Sequence, residues 1–118
     1  MSAYLVDIFA RIDALGLPAG SSVAHLGGGM GLLPKMLMGR GFEQEVFEID
    51  DAIAKWLLEG VPGTHSTIHV GDWRETLVGS YEIIVYDIDA PVDMDSLRKH
   101  LNPDGHIFTL TQQEKMPL

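Results

Sequence analysis

Residues 21–31 read Ser-Ser-Val-Ala-His-Leu-Gly-Gly-Gly-Met-Gly, and this stretch decides the fold. A short apolar run ends on four glycines within five positions, and a helical pattern follows at once. Glycine can take a positive φ in a tight turn, and it has no β-carbon to hold a ligand away from the main chain. The stretch therefore predicts a strand, a ligand-binding turn and a helix that presents backbone N–H groups at its N-terminus.

The spacing of the glycines indicates the class of ligand. Gly27, Gly29 and Gly31 form G-x-G-x-G, whereas a dinucleotide-binding G-x-G-x-x-G would place glycine at Leu32. A phosphate-binding loop is excluded, because no Gly-Lys-Ser or Gly-Lys-Thr follows. The pattern favours an adenosyl ligand without a pyrophosphate, and a glycine-rich turn with no ligand is the alternative.

The length of 118 residues predicts a single domain over residues 1–118. The absence of cysteine excludes disulfides and cysteine-ligated zinc, and the five histidines lack metal-ligand spacing, so no metal is expected. A net charge of −9 disfavours a nucleic-acid partner. No apolar run has the length of a membrane span and no signal-peptide layout is present, so we expect a cytoplasmic protein with no membrane contact.

Strands and helices alternate in the hydrophobic pattern. The predicted helices are residues 3–15, 31–39, 51–59, 73–78 and 93–101, and the predicted strands are 22–26, 45–49, 67–70, 81–86 and 106–110. This alternation predicts a doubly wound α/β fold with a mostly parallel, Rossmann-like sheet of five strands and helices on both faces. The fifth strand would be an exposed edge, which predicts a homodimer through that edge.

Two acidic residues flank the end of the second predicted strand. Glu48 and Asp50 point to the same side of an extended chain, about twenty residues after the glycines. A carboxylate there can accept both hydrogens of a ribose diol, so both residues are candidates for cofactor binding. Glu48 favours the ligand, whereas for Asp50 the capping of a helix that begins at Asp51 is an equal alternative.

Three further candidates follow the third and fourth strands. Asp72 could accept a hydrogen bond from an adenine amino group or cap the next helix. Trp73 could stack on the adenine or pack in the core, and core packing is the stronger interpretation. Asp87, across the switch point from the glycine turn, could orient or deprotonate an amine nucleophile or hold the ligand's own ammonium group. His25, in the first strand, is expected to be a hydrogen-bonded core residue.

Taken in order, these motifs resemble the class I S-adenosylmethionine-dependent methyltransferases, and among them most of all the nucleotide-binding half of the spermidine synthases. The resemblance covers roughly residues 22–111. It rests on the glycine turn, Phe47-Glu48-Ile49-Asp50, Gly71-Asp72, Tyr81-Glu82-Ile83-Ile84-Val85-Tyr86-Asp87 and Leu101-Asn102-Pro103-Asp104-Gly105. Met30 stands where the spermidine synthases carry an acidic residue in the turn, and Ala90 stands where their second carboxylate grips the polyamine.

The resemblance implies the strand order 3-2-1-4-5, a small-molecule ligand and a role for each matching residue. The ligand would be S-adenosylmethionine, or else decarboxylated S-adenosylmethionine or methylthioadenosine. The glycines would surround its methionine moiety, Glu48 would bind the ribose, Asp72 would lie at the adenine, and Asp87 would be the catalytic residue. The candidate cofactor-binding residues are Gly27, Gly28, Gly29, Gly31, Glu48, Asp50, Asp72, Trp73 and Asp87.

Three functions follow from this interpretation. The first is an S-adenosylmethionine-binding, methyltransferase-like protein that would transfer a methyl group to a small acceptor by in-line displacement, mostly through proximity and orientation. The second is a spermidine synthase-like aminopropyltransferase. The third is a non-catalytic binding or interaction module that retains the fold.

Overall fold

Five helices alternate with five strands in the residues that the computed structural model describes, which are 3–27, 32–60, 66–88, 91 and 93–109. The helices are α1 (Ala3–Ala14), α2 (Leu32–Met38), α3 (Asp51–Gly60), α4 (Trp73–Thr76) and α5 (Met94–Arg98). The strands are β1 (Ser22–Leu26), β2 (Glu43–Glu48), β3 (Ser66–Val70), β4 (Tyr81–Tyr86) and β5 (Leu101–Thr109). No described helix has the length and apolar character needed to cross a membrane.

The strands form one sheet in the order β3-β2-β1-β4-β5, and every neighbouring pair is parallel. This confirms the predicted order and shows a wholly parallel sheet rather than a mostly parallel one. In the central strand, Val23 pairs with Gln44 of β2 on one side and with Ile83 of β4 on the other. The chain moves outward from β1 to β3 and then returns to β4. The topological switch point therefore lies where β1 and β4 end.

Each face of the sheet is covered by its own apolar cluster, because successive side chains of a strand point to opposite faces. On one face, side chains of α1 and α2 pack on β1 and β4: Ile8, Ile12, Leu33 and Leu37 contact Val23, Ile83 and Val85. On the opposite face, Leu77 and Leu97 pack with Ala24, Leu26, Phe47, Ile84 and Tyr86. Helices on both faces were predicted, and the arrangement confirms them.

The C-terminal part of the fold differs from its sequence prediction. The helix expected over 93–101 ends at Arg98, and β5 begins at Leu101 instead of residue 106. The predicted helix over 73–78 is also shorter, because Leu77 has an extended backbone.

The stretch 102–105, whose residue types are typical of a turn, lies inside β5 rather than before it. Tyr81 pairs with Leu101 and Ile83 pairs with His106, so five steps along β5 match two steps along β4. Asp104 takes a φ of 66°, and the preceding proline has no N–H to donate to a ladder. The segment therefore leaves the ladder as a bulge, and the strand resumes at residue 106.

Candidate functional site

A cavity of about 450 Å³ lies at the edge of the sheet where β1, β2, β3 and β4 end. Its volume is typical of a small-molecule site. The structure brings five of the predicted site residues together in the cavity wall: Gly27, Glu48, Asp72, Trp73 and Asp87. Asp50 is outside this wall. Gly28, Gly29 and Gly31, together with Met30 and Ala90, lie outside the described residues.

Gly27 is held against the end of β4 at the switch point. Its N–H donates to the carbonyl oxygen of Phe47 at 2.9 Å, and its φ is 82°. A β-carbon at this position would overlap the carbonyl oxygen of Asp87 and would lie 2.9 Å from Cγ1 of Ile88. Both the backbone conformation and the close approach therefore require glycine.

Glu48 ends β2 with a carboxylate in the cavity wall, and only 7% of the residue is exposed. Its Oε2 accepts a hydrogen bond from the backbone N–H of Asp50 at 3.0 Å. No hydrogen bond joins Oε1 to the described part of the chain, although a buried carboxylate is costly unless it is hydrogen-bonded. Glu48 can therefore accept hydrogen bonds from a ligand in the cavity.

Asp50 caps α3. Its Oδ1 accepts hydrogen bonds from the N–H groups of Ala52 at 2.9 Å and Ile53 at 3.2 Å, which is the geometry of an N-cap residue. The side chain is exposed. Asp50 is thus an N-cap residue, which was one of its two predicted roles. Its role in ligand binding stays a prediction.

Asp72 caps α4 and forms a bidentate ion pair with Arg74. Its Oδ1 accepts from the backbone N–H of Arg74 at 2.9 Å and from Nε at 3.0 Å, and its Oδ2 accepts from Nη2 at 2.7 Å. The hydrogen bond from the guanidinium holds the pKa of the Asp72 carboxyl below its usual value. Both oxygens therefore accept from Arg74, an ion pair that was not expected from the sequence, and a contact of Asp72 with an adenine stays a prediction.

Trp73 and Tyr86 pack edge to face, with ring centroids 6.3 Å apart and an angle of 89° between the rings. Trp73 is partly buried against the second apolar cluster while it also lines the cavity. Tyr86 is buried, which raises the pKa of its phenol. Trp73 thus has the core contacts that the sequence favoured, and stacking on an adenine stays a prediction.

Asp87 directly follows β4, and its backbone N–H donates to the carbonyl oxygen of Leu26 at 2.9 Å. This bond extends the β1–β4 pairing by one residue beyond the end of β4. It holds the half-buried Asp87 in the cavity wall beside Gly27. A carboxylate in this position can orient a polar ligand group or accept a proton from it.

Several cavity residues were missed by the sequence analysis. They include Ile49, Arg74, Pro91, Asp93 and Ser96. Asp93 and Ser96 have the spacing of a helix cap, and Asp93 does accept hydrogen bonds from the backbone N–H and hydroxyl of Ser96. Ile49 lies between Glu48 and Asp50. Because its side chain is apolar, its 70% exposure could not be predicted from the sequence.

His25 lies in β1 in a buried polar network, as the sequence predicted. Its Nε2 contacts Oε1 of Gln44 at 2.7 Å, and the Gln44 amide donates to the carbonyl oxygen of Pro34 at 2.9 Å. Because that amide orientation makes Oε1 the acceptor, His25 donates from Nε2. Burial lowers the pKa of His25 to about 4, so the ring is neutral at pH 7.

No protein-family model and no curated protein sequence matches the chain. Solved structures do match it. An S-adenosylmethionine-dependent methyltransferase from Thiobacillus denitrificans, in complex with S-adenosylhomocysteine, superposes with a TM-score of 0.73 and 19% identity over 90% of this chain and 46% of that protein. A methyltransferase of the same description from Geobacter sulfurreducens, also with S-adenosylhomocysteine, superposes with a TM-score of 0.74 and 19% identity over 90% of this chain and 46% of that protein.

A third structure, yhhF from Escherichia coli, which is assigned as a methyltransferase, gives a TM-score of 0.78 at 12% identity over 92% of this chain and 68% of that protein. The chain spans less than half the length of the first two proteins. At these identities the likeness shows the fold, which is that of the class I S-adenosylmethionine-dependent methyltransferases.

Proposed function

We propose that this chain, which has the class I methyltransferase fold, binds S-adenosylmethionine in the cavity and transfers a methyl group to a small acceptor. One observation carries the proposal: Glu48 is a carboxylate more than nine-tenths buried, in the cavity wall, with one oxygen not hydrogen-bonded by the described residues. The S-adenosylhomocysteine bound in two structural neighbours supports the same ligand class.

The residues of the cavity fit an adenosyl ligand. Oε1 of Glu48 can accept from a ribose hydroxyl, and a charge-assisted bond of this kind is roughly twice as strong as a neutral one. Ile49 adds an exposed apolar side chain to the same wall, beside Glu48, and it offers a surface to the adenine ring. Gly27 adds backbone atoms to the same wall.

When bound, S-adenosylmethionine supplies a methyl group on a positively charged sulfur. The charged side chains of the described cavity wall are one guanidinium, that of Arg74, and four carboxylates, those of Glu48, Asp72, Asp87 and Asp93. Such a wall favours a cationic ligand. Asp87 would accept a hydrogen bond from the acceptor's N–H or O–H group, orient it and take its proton. The remaining contribution of the chain is positioning.

The binding half of the proposal is tested by calorimetry with S-adenosylhomocysteine. Glu48→Gln should weaken binding about 10- to 100-fold, because a charged hydrogen bond contributes about 1.5–3 kcal/mol. Glu45→Gln is the matched control, since it makes the same change of charge on the same strand but outside the cavity wall, at a carboxylate that binds His69 and Tyr81. No binding to the wild type at millimolar ligand, or equal loss in both variants, would contradict the proposal.

The transfer half is tested by the release of S-adenosylhomocysteine from S-adenosylmethionine in the presence of pooled small amines and alcohols. Asp87→Asn should lower the rate about 100-fold or more, which is the range of general acid–base catalysis. Tight, Glu48-dependent binding without product from any pool would contradict transfer and leave a binding module.

We also infer a homodimer through β5, because within the described residues this strand pairs with β4 only. An unpaired strand edge offers a row of backbone groups to a second chain. Sedimentation equilibrium should give twice the mass of one chain, and a monomer at all concentrations would contradict the dimer. The cytoplasmic location, the absence of a nucleic-acid partner and the relationship to spermidine synthases stay predictions from the sequence.

A further inference from the structure

Arg74 presents an organised guanidinium to the cavity. A guanidinium carries five N–H donors. Asp72 accepts from two of them, at 3.0 Å from Nε and 2.7 Å from Nη2. No described residue accepts from the other three, and 72% of the Arg74 side chain is exposed. Three donors therefore remain for a ligand.

The partner of Arg74 is itself held by several hydrogen bonds, and it orients the guanidinium. The carbonyl oxygen of Asp72 accepts from the backbone N–H groups of Glu75 and Thr76 at 3.0 and 3.1 Å, and from the Thr76 hydroxyl at 3.0 Å. Its carboxylate caps α4 through the N–H of Arg74. A planar guanidinium held side-on by such an anchor loses less side-chain freedom when it binds a carboxylate.

The cavity wall also contains groups of the opposite charge. Glu48 is used by the proposed ribose contact, and both oxygens of Asp93 accept from Ser96. Asp87 is the carboxylate that the proposed function places at the acceptor. One wall of the cavity therefore offers a cation, Arg74, and the switch point offers an anion, Asp87. This pair suits a small molecule that carries both an amine and a carboxylate.

We propose that the acceptor is a small amino acid, with its carboxylate bound by Arg74 and its amine at Asp87. The inference rests on the proposed function and names the substrate class of that site. Before the transfer, the ammonium group of the amino acid gives one proton to the Asp87 carboxylate. The neutral amine nitrogen then forms the new bond to the methyl carbon as the bond from that carbon to sulfur breaks. The bonding pair goes to sulfur, which becomes a neutral thioether. The product leaves as the methylated ammonium, and the proton on Asp87 passes to water.

The test compares amino acids with their amides, which differ only in the group that Arg74 would bind. Glycine, β-alanine and γ-aminobutyrate are each assayed beside the matching amide, with S-adenosylhomocysteine release as the readout. In the wild type, at least one amino acid should have a kcat/KM about 10- to 100-fold above that of its amide, as expected for a charge-assisted bidentate pair. Arg74→Met should bring this ratio close to one, and Arg74→Lys should restore part of it.

The carboxylate that Arg74 binds could belong to the acceptor or to the methyl donor. The affinity of each variant for S-adenosylhomocysteine distinguishes the two. Arg74→Met should leave this affinity within about twofold, and Arg98→Met, which breaks an exposed ion pair with Asp95, is the control for loss of a surface cation. A 10-fold loss of S-adenosylhomocysteine affinity in Arg74→Met would show that Arg74 holds the donor's own carboxylate, which overturns the inference.

Three other results would also overturn it. They are amides that react as well as amino acids, an equal loss for both classes in Arg74→Met, and no reaction of any amino acid in a protein that binds S-adenosylhomocysteine through Glu48. In all three cases the binding half of the proposed function stands. A wild type that does not bind S-adenosylhomocysteine removes the proposed function, and the inference falls with it.

Discussion

Gly27 and Asp87 lie so close together that a β-carbon at Gly27 would overlap the backbone carbonyl oxygen of Asp87. This contact joins the end of β1 to the end of β4 at the switch point of the sheet. The glycine is thus required by the packing of two parallel strands, independently of any ligand. Among the glycines that suggested a ligand-binding turn, Gly27 has a structural role of its own.

Gly27→Ala should therefore lower the free energy of unfolding by about 3 kcal/mol or more, because a left-handed φ and a steric overlap act together. Gly16→Ala is the matched control: its φ is also positive, at 64°, but nothing lies within 4 Å of an added β-carbon. Backbone strain alone should lower the free energy of unfolding of Gly16→Ala by about 1 kcal/mol. Urea denaturation measures both, and equal losses would contradict the overlap.

Asp50→Ala should affect stability more than ligand binding. Loss of the N-cap of α3 should lower the free energy of unfolding by about 1 kcal/mol. The affinity for S-adenosylhomocysteine should stay within about twofold, since Asp50 is outside the cavity wall. Calorimetry and urea denaturation give the two readouts. A loss of affinity as large as that of Glu48→Gln would instead assign Asp50 to the ribose.

Gln44→Met should destabilise the chain because it leaves the buried Nε2–H of His25 without its acceptor. An unsatisfied buried donor costs about 1–3 kcal/mol. The double variant His25→Leu/Gln44→Met removes donor and acceptor together, so it should lose less than the sum of the two single variants. Urea denaturation of the four proteins completes the cycle. Strict additivity would mean that the two side chains do not act as a pair.

Stability should fall with pH below about 6.5 partly because of His25. The folded pKa is about 4 against an ordinary value of 6.5, so the unfolded chain binds a proton first as the pH falls. The contribution of neutral His25 is complete above pH 6.5 and is lost progressively towards pH 4, with a total of about 3 kcal/mol. His25→Gln should show a shallower decline in urea denaturation over that window. Parallel curves for the two proteins would be inconsistent with a buried neutral ring.

The alternation of strands and helices could be predicted because it depends on local patterns, whereas the strand order was implied by the resemblance. The continuous apolar run Ile83-Ile84-Val85 is typical of a parallel strand buried on both faces, and β4 lies between β1 and β5. The start of β5 could not be predicted in the same way. Residues 102–105 have a turn sequence, and only their pairing with Tyr81 and Ile83 shows that strand continues on both sides of the turn.

For the candidate site, too, the position of the residues could be predicted, but their availability to a ligand could not. Gly27, Glu48, Asp72 and Asp87 each follow or end a strand, and parallel strands bring such residues to one edge. Whether a carboxylate is available there depends on its neighbours. Both oxygens of Asp72 accept from Arg74, whereas Oε1 of Glu48 has no hydrogen bond to the described residues.

The sequence by itself determined the alternating strands and helices of the doubly wound sheet and the strand ends that carry the acidic residues, because hydrophobic period and glycine position act over a few neighbouring residues. Only the tertiary structure decided which groups can meet a ligand. That outcome depends on burial, on hydrogen bonds between distant segments and on the close approach of Gly27 to Asp87, and none of these is a property of a short stretch of chain.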